Sequence, residues 1–147
     1  MIFKKKVIII ISARGGSKRI KNKNLKRLGK KSLLNICITK AKKSKYVDLV
    51  TVNTESKKIR SESELQGIKV PFLRDKYFDD KSTVEMATAY YLKNGEKYFG
   101  KFDIVVQLMP NCPFFTTKNI DNALENFIKK KFDSQISYSE FLFSKPE

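Results

Sequence analysis

The sequence contains no histidine and only two cysteines among its 147 residues. Without an imidazole to act as general base, Ser–His and Cys–His catalytic pairs are excluded. Cys37 and Cys112 stand far apart and form no Cys-x-x-Cys motif, which argues against a zinc site and against a disulfide framework. Cys112 is expected to be a small packed residue and not a reactive thiol. Any catalysis must therefore rest on other side chains.

Long hydrophobic runs are also missing. The apolar run at residues 7–11 is five residues long and follows three lysines, and it is too short for a secretory signal or a membrane span. It continues into Ala-Arg-Gly-Gly, without the small-x-small pattern of a cleavage site. A buried parallel strand accounts for this run better. We therefore expect a soluble, cytoplasmic protein with no membrane partner.

Acidic residues are absent from the first third of the chain. Of the 31 Lys and Arg residues, 16 lie within residues 1–47, and Asp48 is the first acidic residue. This segment accounts for the net charge of +16, and its field would attract a polyanion, either a nucleic acid or a nucleoside triphosphate. Alternatively, the lysines only decorate a solvated surface. No zinc-finger, helix-turn-helix or RNP-like motif supports a nucleic-acid-binding domain, so we expect no nucleic-acid partner.

Hydrophobic residues make up 41% and charged residues 31% of the chain, which is typical of one globular domain covering residues 1–147. Strands are predicted at residues 7–12, 48–53, 68–72, 103–108 and 134–139. Helices are predicted at residues 32–43, 56–66 and 82–98, and a fourth begins at a cap on Thr117. This alternation predicts an α/β fold with a mainly parallel sheet and helices on both faces. Ligands of such sheets bind in the loops after the strands.

The loop at residues 13–24 follows the first predicted strand and combines two glycines with several cations. Glycine lets the backbone approach a ligand closely and direct N–H groups toward it. Arg14, Lys18 and Lys23 could neutralise phosphates, and Arg can hold two oxygens at once. Neither the P-loop nor the Gly-x-Gly-x-x-Gly pattern is present. The loop is therefore interpreted as a phosphate-binding loop of another kind, or alternatively as a basic surface turn.

The pattern Ala-Arg-x-x-Ser-Lys-x-x-x-x-Lys-Asn at residues 13–24 resembles the nucleotide-binding signature of the acylneuraminate cytidylyltransferases. These include the CMP–sialic acid synthetases and the relatives that act on pseudaminic and legionaminic acids. Further segments resemble the family in the same order, at residues 28–33, 52–56, 70–74, 80–83 and 110–114. The resemblance implies a three-layer α/β/α nucleotidyltransferase fold, Rossmann-like and similar to the nucleotide-diphospho-sugar transferases.

The resemblance also implies which residues bind CTP. The positions that match the family are Ala13, Arg14, Gly15, Ser17, Lys18, Lys23, Asn24, Arg74, Asp80, Ser82 and Thr83. Arg14, Lys18 and Lys23 would be catalytic through their charge on the phosphates. Arg74, Ser82 and Thr83 would recognise cytosine, and Asp80 would support that pocket. Three simpler alternatives stay open: Arg74 as a surface arginine, Ser82 as only a helix cap, and Asn24 as a residue that shapes a turn.

The implied reaction transfers CMP from CTP to the anomeric hydroxyl of an acidic, sialic acid-like sugar and releases pyrophosphate. Pro110, Asn111 and Cys112 would lie in the sugar-side loop. This sequence has Met109 and Phe115 where the family has Gln and Arg, and Glu55 where the family has Asp. Mg²⁺ would be the cofactor, although no residue of the chain can be assigned as its ligand.

Members of the resembled family are homodimers that extend past residue 147, where their metal-binding aspartates lie. We therefore expect a C-terminally truncated domain, for which dimer formation and activity are both in doubt. Three alternatives remain: a nucleotide-binding pseudoenzyme, a nucleotidyltransferase for Kdo or a hexose phosphate, and a basic nucleic-acid-binding domain.

Overall fold

A computed structural model of the chain describes residues 2–17, 19–75 and 83–138. The strands are β1 Val7–Ser12, β2 Arg27–Leu28, β3 Lys31–Ser32, β4 Leu49–Asn53 and β5 Ile104–Leu108. The helices are α1 Leu33–Lys42, α2 Lys57–Leu65, α3 Val84–Phe99 and α4 Thr117–Lys129, and a short 3-10 helix covers Lys23–Leu25. The three longer strands and the four α-helices confirm the predicted alternation.

Three strands form a parallel sheet in the order β4-β1-β5. Ile8 of β1 is aligned with Leu49 of β4 on one side and with Val105 of β5 on the other. All five apolar residues of β1 are fully buried, because a central parallel strand is covered on both faces and flanked on both edges. The interpretation of this run as a buried strand is confirmed.

Helices cover both faces of the sheet, which gives the predicted three layers. Val7, Ile9 and Ile11 pack into one core with residues of α1, α2 and α4. The alternate residues, Ile8 and Ile10, face α3 and pack around its buried Tyr91. Because successive side chains of β1 point to opposite faces of the sheet, this strand contributes residues to two separate cores.

Strands β2 and β3 form a small antiparallel hairpin that leads into α1. Gly29 has a φ of 65° at its turn, a conformation that glycine adopts without steric cost. Ser32 then ends the hairpin and caps α1, where its Oγ accepts a hydrogen bond of 3.1 Å from the backbone N–H of Asn35.

Two predicted strands are not formed. Residues 68–72 are irregular although Ile68 and Val70 are buried, because Pro71 has no N–H for a ladder and the hydroxyl of Thr51 bonds the Lys69 carbonyl oxygen at 3.0 Å. Residues 134–138 are exposed and unpaired with any described strand; residue 139 lies outside the described residues.

Two predicted helix caps are one residue away from the observed ones. Thr83, and not Ser82, is the N-cap of α3, and its Oγ1 accepts from the Met86 N–H at 3.3 Å. Thr116, and not Thr117, caps α4, because its hydroxyl and the Asn119 side chain each bond the other residue's backbone N–H. Thr117 instead donates its hydroxyl to the Lys40 carbonyl at 3.0 Å. No helix in the described ranges is long and apolar enough to cross a membrane.

Candidate functional site

The loops after β1, β4 and β5 lie at one edge of the sheet, because the three strands are parallel. The loop after β1 lies in the middle, since β1 is the central strand. Its first residue, Ala13, is fully buried and donates its N–H to the Asn53 carbonyl of β4 at 3.0 Å. The predicted phosphate loop therefore begins at the centre of the edge where parallel sheets bind ligands.

Glu55 fixes the loop after β1 to the segment after β4. One of its carboxylate oxygens accepts from the Gly15 N–H at 2.5 Å, and the other accepts from Arg74 Nη2 at 2.9 Å. The Arg74 and Glu55 side chains are only 5% and 7% exposed. The backbone N–H of Arg74 also bonds the Thr54 carbonyl at 2.8 Å. Arg74 is thus a buried partner of Glu55, and its interpretation as a surface arginine is wrong.

The two glycines of the loop have different surroundings. A Cβ on Gly15 would lie 2.9 Å from the Cβ of Ser56, the N-cap of α2. Nothing lies within 4 Å of a Cβ placed on Gly16, which is exposed. Gly15 therefore packs the loop against the protein, while Gly16 leaves its outer side open to a ligand.

The buried side chain of Asn24 supports the rest of the loop. This residue is 5% exposed, and its Nδ2 donates to the Arg14 carbonyl at 2.8 Å. The side chain of Arg14 is exposed, and Ser17 bonds back to the Gly15 carbonyl through its N–H at 3.0 Å. Lys23 is half-buried in the 3-10 helix that carries Asn24. Asn24 shapes the loop in this structure, in line with the turn-shaping alternative.

Not every predicted site residue falls within the described part of the chain. Lys18, Asp80 and Ser82 lie outside it. Thr83 is exposed and caps α3. The structure thus brings together the residues of the first loop with Arg74, and it leaves Thr83 at the start of α3 with a capping role.

The predicted sugar-side loop follows β5 at the same edge of the sheet. Pro110 is buried, whereas Asn111 and Cys112 are exposed. Exposure of the Cys112 thiol contradicts its predicted role as a packed residue; the other cysteine, Cys37, is the packed one, and burial raises the pKa of its thiol to about 12. The loop is held by Lys40, whose ammonium donates to the Pro113 carbonyl at 2.5 Å.

A polar cluster on the α3 side of the sheet was not predicted. Thr88 donates its hydroxyl to Gln107 Oε1 at 2.8 Å and lies 3.4 Å from the Ser12 hydroxyl. Asn53 is fully buried and bonds the Ala87 carbonyl through Nδ2 at 3.0 Å. Ser12, Asn53 and Gln107 all lie at or near the carboxyl ends of strands. Polar residues in that position were a usable signal in the sequence.

The charge of one carboxylate near this cluster is stabilised by its helix. Hydrogen bonds from its own backbone N–H and then from the Thr83 hydroxyl lower the pKa of Glu85 in the first turn of α3. An anionic side chain at a helix N-terminus is favoured by the helix dipole.

Among the described residues there is no group of three His, Cys, Asp or Glu side chains able to hold a metal ion. The described residues alone therefore form no complete set of metal ligands.

Comparison with known proteins agrees with this geometry. The sequence model of the cytidylyltransferase family matches residues 8–145. A pseudaminic acid cytidylyltransferase of Campylobacter jejuni is 31% identical over 97% of the chain and 59% of its own length. A CMP-N,N'-diacetyllegionaminic acid synthase of Legionella pneumophila is 32% identical over 82% of the chain and 52% of its own length. The chain thus spans a little over half the length of these relatives.

Solved structures show the same fold. A CMP:2-keto-3-deoxy-manno-octonic acid synthetase complexed with CTP superposes with a TM-score of 0.71 at 21% identity, over 86% of this chain and 49% of that one. A cytidylyltransferase from Leptospira borgpetersenii superposes with a TM-score of 0.65 at 26% identity, over 86% and 50% of the two chains. The three-layer α/β/α nucleotidyltransferase fold is thereby confirmed, and the chain belongs to the cytidylyltransferase family.

Proposed function

We propose that this chain forms the CTP-binding part of an enzyme that transfers CMP to the anomeric hydroxyl of an acidic nonulosonic sugar. The observation that carries the proposal is the loop of residues 13–17, which follows the central strand at the ligand-binding edge of the sheet. Glu55 holds the inner side of this loop through Gly15, and Gly16 leaves its outer side open. Family membership supports this assignment.

The reaction requires positioned cations more than a covalent nucleophile. The anomeric oxygen attacks the α-phosphorus and forms a new P–O bond, while the bond to the bridging β-phosphate oxygen breaks and pyrophosphate leaves with that electron pair. Negative charge is spread over phosphate oxygens in the transition state. Arg14, exposed on the loop, would bind these oxygens, together with Lys23 and Lys18. Mg²⁺ dependence stays a prediction from the family resemblance.

Two residues of the predicted CTP site would act by positioning. Asn24 holds the Arg14 carbonyl, and Arg74 holds Glu55, which in turn holds Gly15. Their substitution would displace the loop without removing a ligand contact. Cytosine recognition by the segment that contains Asp80, Ser82 and Thr83 stays a prediction, as do the cytoplasmic location and the homodimer.

The acceptor side favours a sugar that carries acyl groups. Met109 is 40% exposed at the end of β5, beside the loop with Asn111 and Cys112. Its thioether is a flexible apolar contact for a methyl group. Phe115, the other departure from the family, is packed against the core and lies under the Lys40 ammonium at 5.2 Å. An N,N'-diacetylated acceptor, as in the name of the Legionella relative, suits this surface.

Calorimetry with CTP, UTP, ATP and GTP tests the nucleotide assignment. We expect CTP to bind most tightly, and Arg14→Ala to weaken it about tenfold or more, because a charge-assisted contact to phosphate is lost. Lys93→Ala is the matched control, since it removes one exposed cation from α3. Equal binding of all four nucleotides, or equal effects of the two variants, would contradict the assignment.

A second candidate function is nucleotide binding without turnover. Pyrophosphate release in the presence of CTP, Mg²⁺ and either pseudaminic acid or N,N'-diacetyllegionaminic acid separates the two candidates. Selective CTP binding without pyrophosphate release would support the second candidate.

A further inference from the structure

A cationic groove lies outside the residues assigned to CTP. It has a volume of about 520 Å³ and opens between the β2–β3 hairpin, the start of α1 and one side of α2. Its lining includes Arg27 and Lys30 of the hairpin and Lys57 and Lys58 of α2. None of the residues 13–17 lines this groove. It is therefore separate from the phosphate loop.

The charge of the groove is not balanced by the protein. Within the described ranges, none of its four cations forms an ion pair, whereas Lys5, Lys45 and Lys101 elsewhere on the surface are each paired with a carboxylate. The groove contains one carboxylate, Glu62, whose Oε1 already accepts from Asn35 Nδ2 at 2.5 Å. Four cations and one carboxylate leave a concave surface with excess positive charge, which attracts anions.

The placement of two of these cations adds to the field. Lys57 and Lys58 are the first two residues of α2, whose first turn has no acidic residue. The N-terminal end of a helix carries partial positive charge, so cations there are unfavourable unless an anion is near. A bound anion would therefore relieve repulsion among the lysines and between them and the helix.

The lining also indicates the class of anion. The apolar side chains of the groove are Leu25 and Leu65, and its lining includes no aromatic residue on which a base could stack. A smaller cleft of about 370 Å³ continues from it past Lys58 to Lys21 and Lys26. The cations thus lie close together in two neighbouring open clefts. This arrangement fits dense charge in a small molecule better than an extended strand with stacked bases.

We propose that this groove is a second anion site, which binds a compact polyphosphate of two or three phosphate groups. Charge-assisted hydrogen bonds from Lys57, Lys58 and the hairpin cations Arg27 and Lys30 would hold it. The site does not depend on the proposed transfer reaction. It would exist whether or not the loop at residues 13–17 binds CTP.

Inorganic tripolyphosphate, followed by amide NMR shifts of the full chain, tests the proposal. We expect saturable shifts at Ser61, Glu62 and the Asn35 side-chain amide. Lys57→Ala/Lys58→Ala should weaken the affinity at these reporters at least about tenfold, and the double Lys→Arg variant should retain it. The matched control, Lys93→Ala/Lys129→Ala, removes two exposed cations from α3 and α4 and should change the affinity less than about twofold.

Shifts confined to residues 13–17, or spread evenly over the lysines of α3 and α4, would overturn the proposal. Tighter binding of a 12-nucleotide oligothymidylate than of tripolyphosphate at the same reporters would overturn the small-anion assignment and indicate a nucleic-acid surface. Arg14→Ala should leave the groove shifts unchanged while it weakens CTP binding. A result that contradicts the polyphosphate site in the groove can therefore be distinguished from one that contradicts the CTP site.

Discussion

At the scale of single residues, Glu55 determines how the loop at residues 13–17 is held. Its two oxygens join Gly15 of the loop to the buried guanidinium of Arg74. Removal of either charge takes away a charge-assisted hydrogen bond between two buried side chains, which is destabilising.

The first prediction concerns this ion pair. Glu55→Gln should lower the free energy of unfolding by about 2 kcal/mol, because the Arg74 guanidinium loses its charge-assisted hydrogen bond to the Glu55 carboxylate. The double variant Glu55→Gln/Arg74→Met should be destabilised by less than the sum of the single changes. Urea denaturation of the parent protein, the two single variants and the double variant gives the coupling energy between the two side chains. Additive effects would show that the two side chains do not act as a pair.

The second prediction compares the two glycines. Gly15→Ala should lower stability by about 1–3 kcal/mol, since its Cβ would lie 2.9 Å from the Cβ of Ser56. Gly16→Ala should be close to neutral, because nothing lies within 4 Å of its Cβ. Thermal unfolding and CTP calorimetry of both variants check this difference. Equal losses would contradict the tight packing of Gly15.

At the scale of elements, β1 is fixed at its amino end by the strands on both sides. Asp48, just before β4, accepts from the Val7 N–H at 2.8 Å, and Asp103, just before β5, accepts from the Lys6 N–H at 2.8 Å. These backbone hydrogen bonds are the main cause that lowers the pKa of each carboxyl. Both hydrogen bonds favour the ionised carboxylate, so protonation of Asp48 or Asp103 weakens the attachment of β1 to the neighbouring strand.

The third prediction follows from the sign of these shifts. Because the pKa of each carboxyl is lower in the folded state, its stabilisation is present above the unfolded value of about 3.9 and is lost as the pH falls through the folded value. Asp48→Asn and Asp103→Asn should therefore lower the Tm at pH 7, and the difference from the parent protein should narrow below about pH 4. Asp133→Asn, at an exposed site beyond α4, is the control. A pH-independent difference would contradict the linkage.

Helices and strands with a clear hydrophobic pattern could be predicted from the sequence, whereas features that depend on residues distant in sequence could not. The continuous apolar run of β1 and the apolar spacing of α1 and α4 can each be recognised within one segment of the sequence. The absence of a strand at residues 68–72 depends on Pro71 and on the distant hydroxyl of Thr51. The Glu55–Arg74 pair joins residues 19 apart in sequence, and no periodicity indicates such a contact.

At the scale of the whole molecule, the uneven charge acts at long range. The net charge of +16 comes from the first third of the chain, which contains both the phosphate loop and part of the cationic groove. Such a field accelerates the approach of anions and is screened by salt. Selectivity for a base depends on short-range contacts, which salt affects much less.

The fourth prediction separates these two effects. Raising NaCl from about 50 to 500 mM should slow CTP association several-fold, while the preference for CTP over UTP persists. Stopped-flow association and competition with UTP measure the two quantities. If CTP binding disappeared at high salt in parallel with the binding of a generic oligonucleotide, the result would instead indicate nonspecific polyanion binding.

The contrast between the two thiols has a practical consequence. Cys37 is buried and Cys112 is exposed, so a maleimide dye would attach at one place without any cysteine being removed or added. That place is the loop after β5, at the edge shared with the phosphate loop. The sequence therefore offers an attachment point for a fluorophore, whose emission would report ligand binding at that edge in real time.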